Sequence, residues 1–330
     1  MRSIHLSDRV YGDIDISEPV IAELVKCPTI QRLKEIDQIG YFEPYFPGTK
    51  HTRFEHSIGV FHLLRRFGAP LEEQISGLIH DVSHSAFSHC IDYVLNVGSE
   101  AKQNHQDNVF DVFVRRSEIP NILEKHNFSL EYILDDDNFP LKEKDLPDLC
   151  ADRIDYSLRT AIVFGDITKK DAEKILGSLT TKNGGWIFEN FEIAKSYAEL
   201  FRKLNTEYYS GLPSAVMFHT VGEYLRHALQ KKFITEQDLY GTDAEVLDKT
   251  SPFHKEDAQL QLLFDRMSGK IRYWDDPRQY DAEVICKSRV IDPLCFSKNE
   301  IKRVSEIEPA WKTALKTESK PKMYHIRFER

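Results

Sequence analysis

The 330-residue chain lacks the means for a covalent framework. Its five cysteines, Cys27, Cys90, Cys150, Cys286 and Cys295, are odd in number, widely scattered and never form a C-x-x-C pair. A disulfide scaffold or a zinc ribbon is therefore excluded, and the expected setting is a reducing one, the cytoplasm. Long apolar runs are missing as well. No window approaches the roughly 18 uninterrupted apolar residues of a membrane helix. The opening MRSIHLSDRVYGDID has neither the apolar stretch nor the small-residue cleavage site of a secretory signal. Excess positive charge is also absent. With 44 basic against 53 acidic residues the formal net charge is −9, so sequence-independent binding to duplex nucleic acid is not expected. Repeats and low-complexity segments are not seen. What is present is 41% hydrophobic residues, enough for a soluble protein of one or two domains that buries about 75% of its unfolded surface.

Periodicity gives the organisation. Residues 17 to 39 read as a helix entered at Ser17, with Pro19 in its first turn. GYFEPYFPG (40–48) is a turn-rich aromatic link, and a helix follows from about Thr52 to Arg66. Leu71, Ile75, Leu78 and Val82 recur at helical spacing, which puts His80, Asp81 and Val82 at the end of a further helix. Another covers roughly 146 to 163. On it Asp152, Asp155, Tyr156 and Arg159 share about a 100° arc, opposite Ala151, Ile154, Leu158 and Ala161. That polar strip faces either solvent or a site. Two long helices, about 190–209 and 214–232, flank Gly211-Leu212-Pro213. Capping-box starts occur at TEQD (235–238) and TDAE (242–245), and EVICKSRVI and MYHIRF alternate like strands. The expected fold is mainly α, with a helical core (1–185) and a smaller α+β C-terminal lobe (186–330).

Histidine is concentrated in two places. HTRFEHS supplies His51 and His56, and SGLIHDVSHSAFSH supplies His80, Asp81, His84 and His89. A lone histidine on a helix is usually packed or solvated. A cluster with carboxylates is different, because imidazole and carboxylate together suit a divalent metal such as Fe, Mn, Ni or Zn without selecting among them. Metal binding would also repay the desolvation of polar groups set beside Leu78, Ile79 and Val82. The acidic run Asp135-Asp136-Asp137 borders Asn138 and Pro140 with no histidine nearby, and reads as a solvated loop.

The ordered set His56, His80-Asp81, Asp152 resembles the H…HD…D signature of the HD-domain metal-dependent phosphohydrolases. QRLKEIDQIGYFEPYFPGTKHTRFEHSIGV, GLIHDVSHSAFSH and DRIDYSLR resemble in particular the branch containing the deoxynucleoside triphosphate triphosphohydrolases, over residues 30 to 165. The resemblance implies an HD-domain core with His56, His80, Asp81 and Asp152 as metal ligands, and Mg with the substrate phosphates. It implies phosphate contact by Arg53, histidines near the scissile phosphate at His84 and His105, and sugar contacts from Gln38 and Tyr156. A nucleotide substrate and a homo-oligomer follow from the same resemblance. Two features depart from that branch. Thr160 stands where those enzymes carry an aspartate four residues past the tyrosine. Their phosphate-clamping helix has no counterpart either: FRKLNTEYYSGLPSAVMFHTVGEYLRH offers Arg202, Tyr208, Tyr209, His219 and Arg226 at unmatched spacing. The implied activity is hydrolysis of a nucleotide, a deoxynucleoside triphosphate first. The alternatives are a phosphomonoesterase or phosphodiesterase on another nucleotide or short oligonucleotide, and a catalytically silent nucleotide sensor.

Overall fold

The computed structural model describes residues 3–94 and 103–330. The chain opens with an antiparallel hairpin, Ile4–Asp8 against Gly12–Ile16, in which alternation turns Ile14 and Ile16 into the core. The stretch read as one helix over 17–39 is broken. It forms Pro19–Lys26 and Pro28–Arg32, then a tight turn at Leu33–Glu35. Pro28 lacks an N–H and disfavours a helical residue before it, and Cys27 is accordingly extended.

Three helices position the site. Thr52 and Glu55 form a reciprocal capping box that starts helix Arg53–Arg66. Its Phe54, Ile58 and Phe61 pack with Ile75, Leu78 and Ile79 of helix Leu71–Ile79. Its other side, Val60, Leu63 and Leu64, packs with Ile154 and Leu158 of helix Ala151–Val163. The last helix begins at Ala151 rather than near 146, since Pro147 disfavours a helical Leu146. The preceding segment instead runs back across the helix start, where Ala151 N–H donates to Leu141 O at 2.8 Å.

Beyond residue 185 come helix Phe191–Leu204, a wide π-type turn at Asn205–Tyr209 and helix Leu212–Gln230. Both expected capping boxes, at Thr235 and Thr242, are present. One sheet has Lys322–Phe328 between Tyr273–Asp275 and Ala282–Cys286, both antiparallel to it. The strand read into EVICKSRVI thus ends at Cys286. A four-stranded sheet orders Leu179–Lys182, Gly185–Phe188, Leu294–Ser297 and Glu300–Arg303, with its central pair parallel. Its first hairpin turns at Asn183-Gly184, both at positive φ, the requirement of a type I′ turn. The fold is mainly α, with a helical core and small sheets toward the C-terminus. Apolar clusters cross residue 185: Phe188, Phe201 and Trp311 share one with Val60 and Ile154. None of the five cysteines forms a disulfide, and all are buried. No helix among the described residues is long and apolar enough to cross a membrane.

Candidate metal centre and its cleft

The capping box places Arg53 and His56 in the first turn of their helix, buried at 4% and 0% exposure. His80 caps the end of helix Leu71–Ile79, with Asp81 just past it, and Asp152 lies in the first turn of helix Ala151–Val163. Three helix ends therefore converge. His56 Nε2 is 2.8 Å from Asp152 Oδ1 and 3.1 Å from His80 Nε2. His80 Nε2 is 3.5 Å from Asp152 Oδ1. Asp81 reaches the same centre, with Oδ1 at 3.5 Å from His80 Nε2 and Oδ2 at 3.7 Å from His56 Nε2. Metal bonds of 2.0–2.2 Å separate neighbouring donors by roughly 3 to 3.5 Å, so the inner atoms of His56, His80 and Asp152 fit a divalent cation, with Asp81 at the edge of that group.

The far sides of both imidazoles support that fit. His80 Nδ1–H donates to the Gly77 carbonyl at 2.8 Å, and since a carbonyl only accepts, the lone pair of neutral His80 lies on Nε2. His56 Nδ1–H donates to Asp155 Oδ2 at 2.7 Å. In their neutral forms both rings would thus point a lone pair inward, the arrangement that outer hydrogen bonds give metal-binding histidines. Asp155 is itself gripped by Arg159, at 3.0 Å to Nε and 2.9 Å to Nη2, and Arg159 Nη1 donates to Asp8 at 2.9 Å. The polar strip of helix Ala151–Val163 therefore turns inward for most of its length: Asp155 and Arg159 are fully buried. Gly59 makes room for them, since a Cβ there would lie 1.9 Å from Asp155 Oδ1.

Charge follows geometry. Burial opposes a charged ring, yet the hydrogen bonds to Asp152 and Asp155 raise His56 to about 9. Burial likewise opposes ionised Asp81, but Arg53 and the nearby His80 hold its carboxyl well below the usual range. The cluster is built to hold positive charge at its centre. Burial and the Arg53 guanidinium push His84 down to about 3 and keep His89 far below the ordinary histidine value. Both rings are therefore neutral.

The cluster opens into a cleft of about 510 Å³ walled by His84, His89, Gln106, Lys142, Arg153, Lys287 and Arg289. A smaller recess of about 80 Å³ is lined by Gln38, Arg53, His89, Gln103, Tyr156 and Thr160. Four of its lining residues carry buried polar atoms with no hydrogen-bond partner among the described residues: Gln38 Oε1, His89 Nδ1, Gln103 Nε2 and Tyr209 Oη. Such atoms ask for a ligand or water.

Gln38, Arg53, His84 and Tyr156 stand in the cleft or recess. Arg53 is partly engaged, with Nη1 on Asp81 at 2.7 Å and Nε on Ser88 Oγ at 3.0 Å. His105 is not brought there. Its imidazole faces Tyr240 Oη at 3.0 Å, its N–H donates to Asp92, and it lines neither space. The reason is helical phase: Gln106, Asp107 and Phe110 face the cleft, which turns His105 to the opposite side of helix His105–Arg115. His89, Asp155, Gln103 and Arg289 were assigned no role from sequence. His89 had a signal, its place in the histidine-rich stretch. Arg289 had none. Of the residues weighed for the missing clamp, Tyr209 lines the recess, whereas Arg226 is spent on Glu223 and the Tyr93 carbonyl. The acidic run is exposed, with Asp136 paired to Lys142 at the cleft edge.

A family model described as the HD domain matches residues 53–160. The chain is 36% identical over 294 residues to the uncharacterized protein YdhJ of Bacillus subtilis, 89% of each chain being covered. It is 32% identical over 250 residues to the metal-dependent phosphohydrolase cns2 of Cordyceps militaris, covering 74% of this chain and 72% of that one. A deoxynucleoside triphosphate triphosphohydrolase SAMHD1 homolog of Dictyostelium discoideum is 26% identical over 336 residues, 92% of this chain and 60% of its own.

Proposed function

The chain belongs to the HD-domain metal-dependent phosphohydrolases, and from that premise we propose that it hydrolyses a phosphate bond of a nucleotide, a deoxynucleoside triphosphate first among substrates. The observation that carries the reading is the continuity of the His56–His80–Asp152 cluster with a cleft and a recess whose walls hold unpartnered polar atoms. His56, His80, Asp81 and Asp152 hold the cation. When bound, a divalent cation supplies Lewis acidity toward a phosphoryl oxygen and toward water. Arg53 offsets charge developing on the phosphoryl group. His84 and His89 are neutral beside Arg53; a phosphate anion that balances the guanidinium raises their proton affinity, so that one of them can protonate the leaving oxygen. Gln38, Tyr156 and Thr160 meet the sugar. The reading includes a cytoplasmic homo-oligomer with no duplex nucleic-acid partner, in keeping with a net charge of −9.

Thr160 tempers sugar selection. A threonine offers a neutral hydrogen bond of about 0.5–1.5 kcal/mol where a carboxylate would offer about 1.5–3, so discrimination between dGTP and GTP falls severalfold. The test is kcat/KM for dGTP, GTP, dGMP and a short oligonucleotide with Mn or Fe added, products being separated by chromatography. Metal-dependent turnover of dGTP with modest preference over GTP is expected. Turnover of dGMP or the oligonucleotide alone would move the assignment to a monoesterase or diesterase, and turnover of none would leave the silent sensor.

A further inference from the structure

The sequence offers no clamping helix for a polyphosphate, yet the cleft contains cations that come from an unexpected place. After strand Ala282–Cys286 burial continues to alternate: Cys286, Ser288 and Val290 are buried, Lys287 and Arg289 are half-buried. Period-two alternation puts Lys287 and Arg289 on one side, and both line the cleft that holds His80, Asp81 and Asp152. Arg289 also lines the recess.

The segment is held in place. Asn205, fully buried at the start of the π-type turn, donates from Nδ2 to Ser288 Oγ at 2.9 Å and accepts the Arg289 N–H on Oδ1 at 2.8 Å. A local π-turn interrupting a helix is a common device where function needs a backbone group re-aimed. Here it aims a buried amide at the segment that carries the two cations.

Three other cations around the cleft and recess are occupied, while Lys144 on the cleft wall has no ion pair among the described residues. Lys142 pairs with Asp136, Arg53 with Asp81 and Arg153 with Glu143. Arg289 is different. Its Nη2 donates to a neutral group, Gln103 Oε1 at 3.0 Å, and it has no carboxylate ion pair among the described residues. A guanidinium beside a neutral amide at a cleft wall is suited to bidentate capture of a phosphate.

We propose that Lys287 and Arg289, set by Asn205, form an anion subsite separate from the metal cluster that binds the phosphates of the substrate which are not being attacked. The inference rests on the phosphohydrolase reading of the same cleft, and it makes the C-terminal region part of the substrate site. It names the substrate class more narrowly: a compound with at least two phosphates beyond or beside the reacting one.

Binding of inorganic tripolyphosphate and of orthophosphate to the Mn-loaded protein, measured by calorimetry, tests it without any assumption about the nucleoside. The variants are Arg289→Ala, Lys287→Gln and the charge-retaining Arg289→Lys, each checked for unchanged melting temperature and metal content. Because hydrogen bonds to charged groups are the strong class, each removed cation should weaken tripolyphosphate binding about 10-fold or more. Orthophosphate binding should change less than about 3-fold, and Arg289→Lys should recover part of the loss. In turnover of any polyphosphate substrate the effect should fall on KM rather than kcat. Equal tripolyphosphate binding by parent and variants would overturn the proposal. So would equal losses for both anions, or a parent that does not bind tripolyphosphate. A protein that turns over no nucleotide but shows the selective loss would retain the subsite and lose the nucleotide reading.

Discussion

His89 and His105 show how far a single residue's role depends on phase. His89 lines the recess together with Arg53, whereas His105 lines neither space and turns its Nε2 toward Tyr240, although each ring has an unpartnered Nδ1. His89→Ala should therefore keep its metal and lose about 10²-fold or more in turnover, the scale of general acid–base catalysis. His105→Ala should melt lower, through loss of the Tyr240 contact, with turnover within about 10-fold of the parent. Steady-state kinetics and thermal melts on the pair decide this, and the opposite ranking would return His105 to the chemistry. The His/Asp cluster was legible because its residues come in ordered, motif-dense blocks. His105 was misplaced because a match in sequence order says nothing of which face of a helix a residue takes. Lys287 gives a pH test at the same scale. Burial and then the neighbouring Arg289 press its ammonium down to about 8, so it is cationic below that pH and loses its charge above it. KM for a triphosphate should rise as pH passes through 8. Lys287→Arg, charged throughout, should remove the inflection.

Among elements, the contact between helices Arg53–Arg66 and Ala151–Val163 governs the centre, because it brings Asp155 and Arg159 against Gly59. A methyl group at 59 would overlap Asp155 Oδ1 at 1.9 Å and Arg159 Nη2 at 2.3 Å. Gly59→Ala should destabilise the protein by about 1–3 kcal/mol, the usual cost of overpacking. It should also weaken metal binding about 10- to 100-fold by displacing the His56 partner. Denaturant melts and metal titration read the two effects, and a Gly59→Ala protein with parental metal affinity would show that Asp155 does not orient His56. The sequence marked Asp155 and Arg159 as a polar strip but left open what it faced, since an inward ion pair and a solvated one have the same period. The hairpin at Asn183-Gly184 was not read from the sequence although its turn residues signal one, and the break at Cys27 follows from Pro28, whose effect the helical periodicity of 17–39 masked.

At the scale of the whole molecule, two apolar clusters bind N-terminal helices to C-terminal strands, and the candidate metal centre lies where three helix ends meet. Metal binding should consequently report on the entire fold. Stripping the metal with a chelator should lower the melting temperature, and restoring Mn should recover it in a concentration-dependent way, because a ligand that binds only the folded state stabilises it. The long-range parts of this arrangement were not legible in the sequence. Asp8, Arg159 and His56, or Asn205 and Arg289, meet only through tertiary folding, and no local spacing encodes that. The most direct test of the account is elemental analysis of the purified protein beside a His80→Ala, Asp81→Ala double variant. The account predicts close to one transition metal per chain in the parent and almost none in the variant, which should also melt lower. Equal metal content in the two proteins would contradict it.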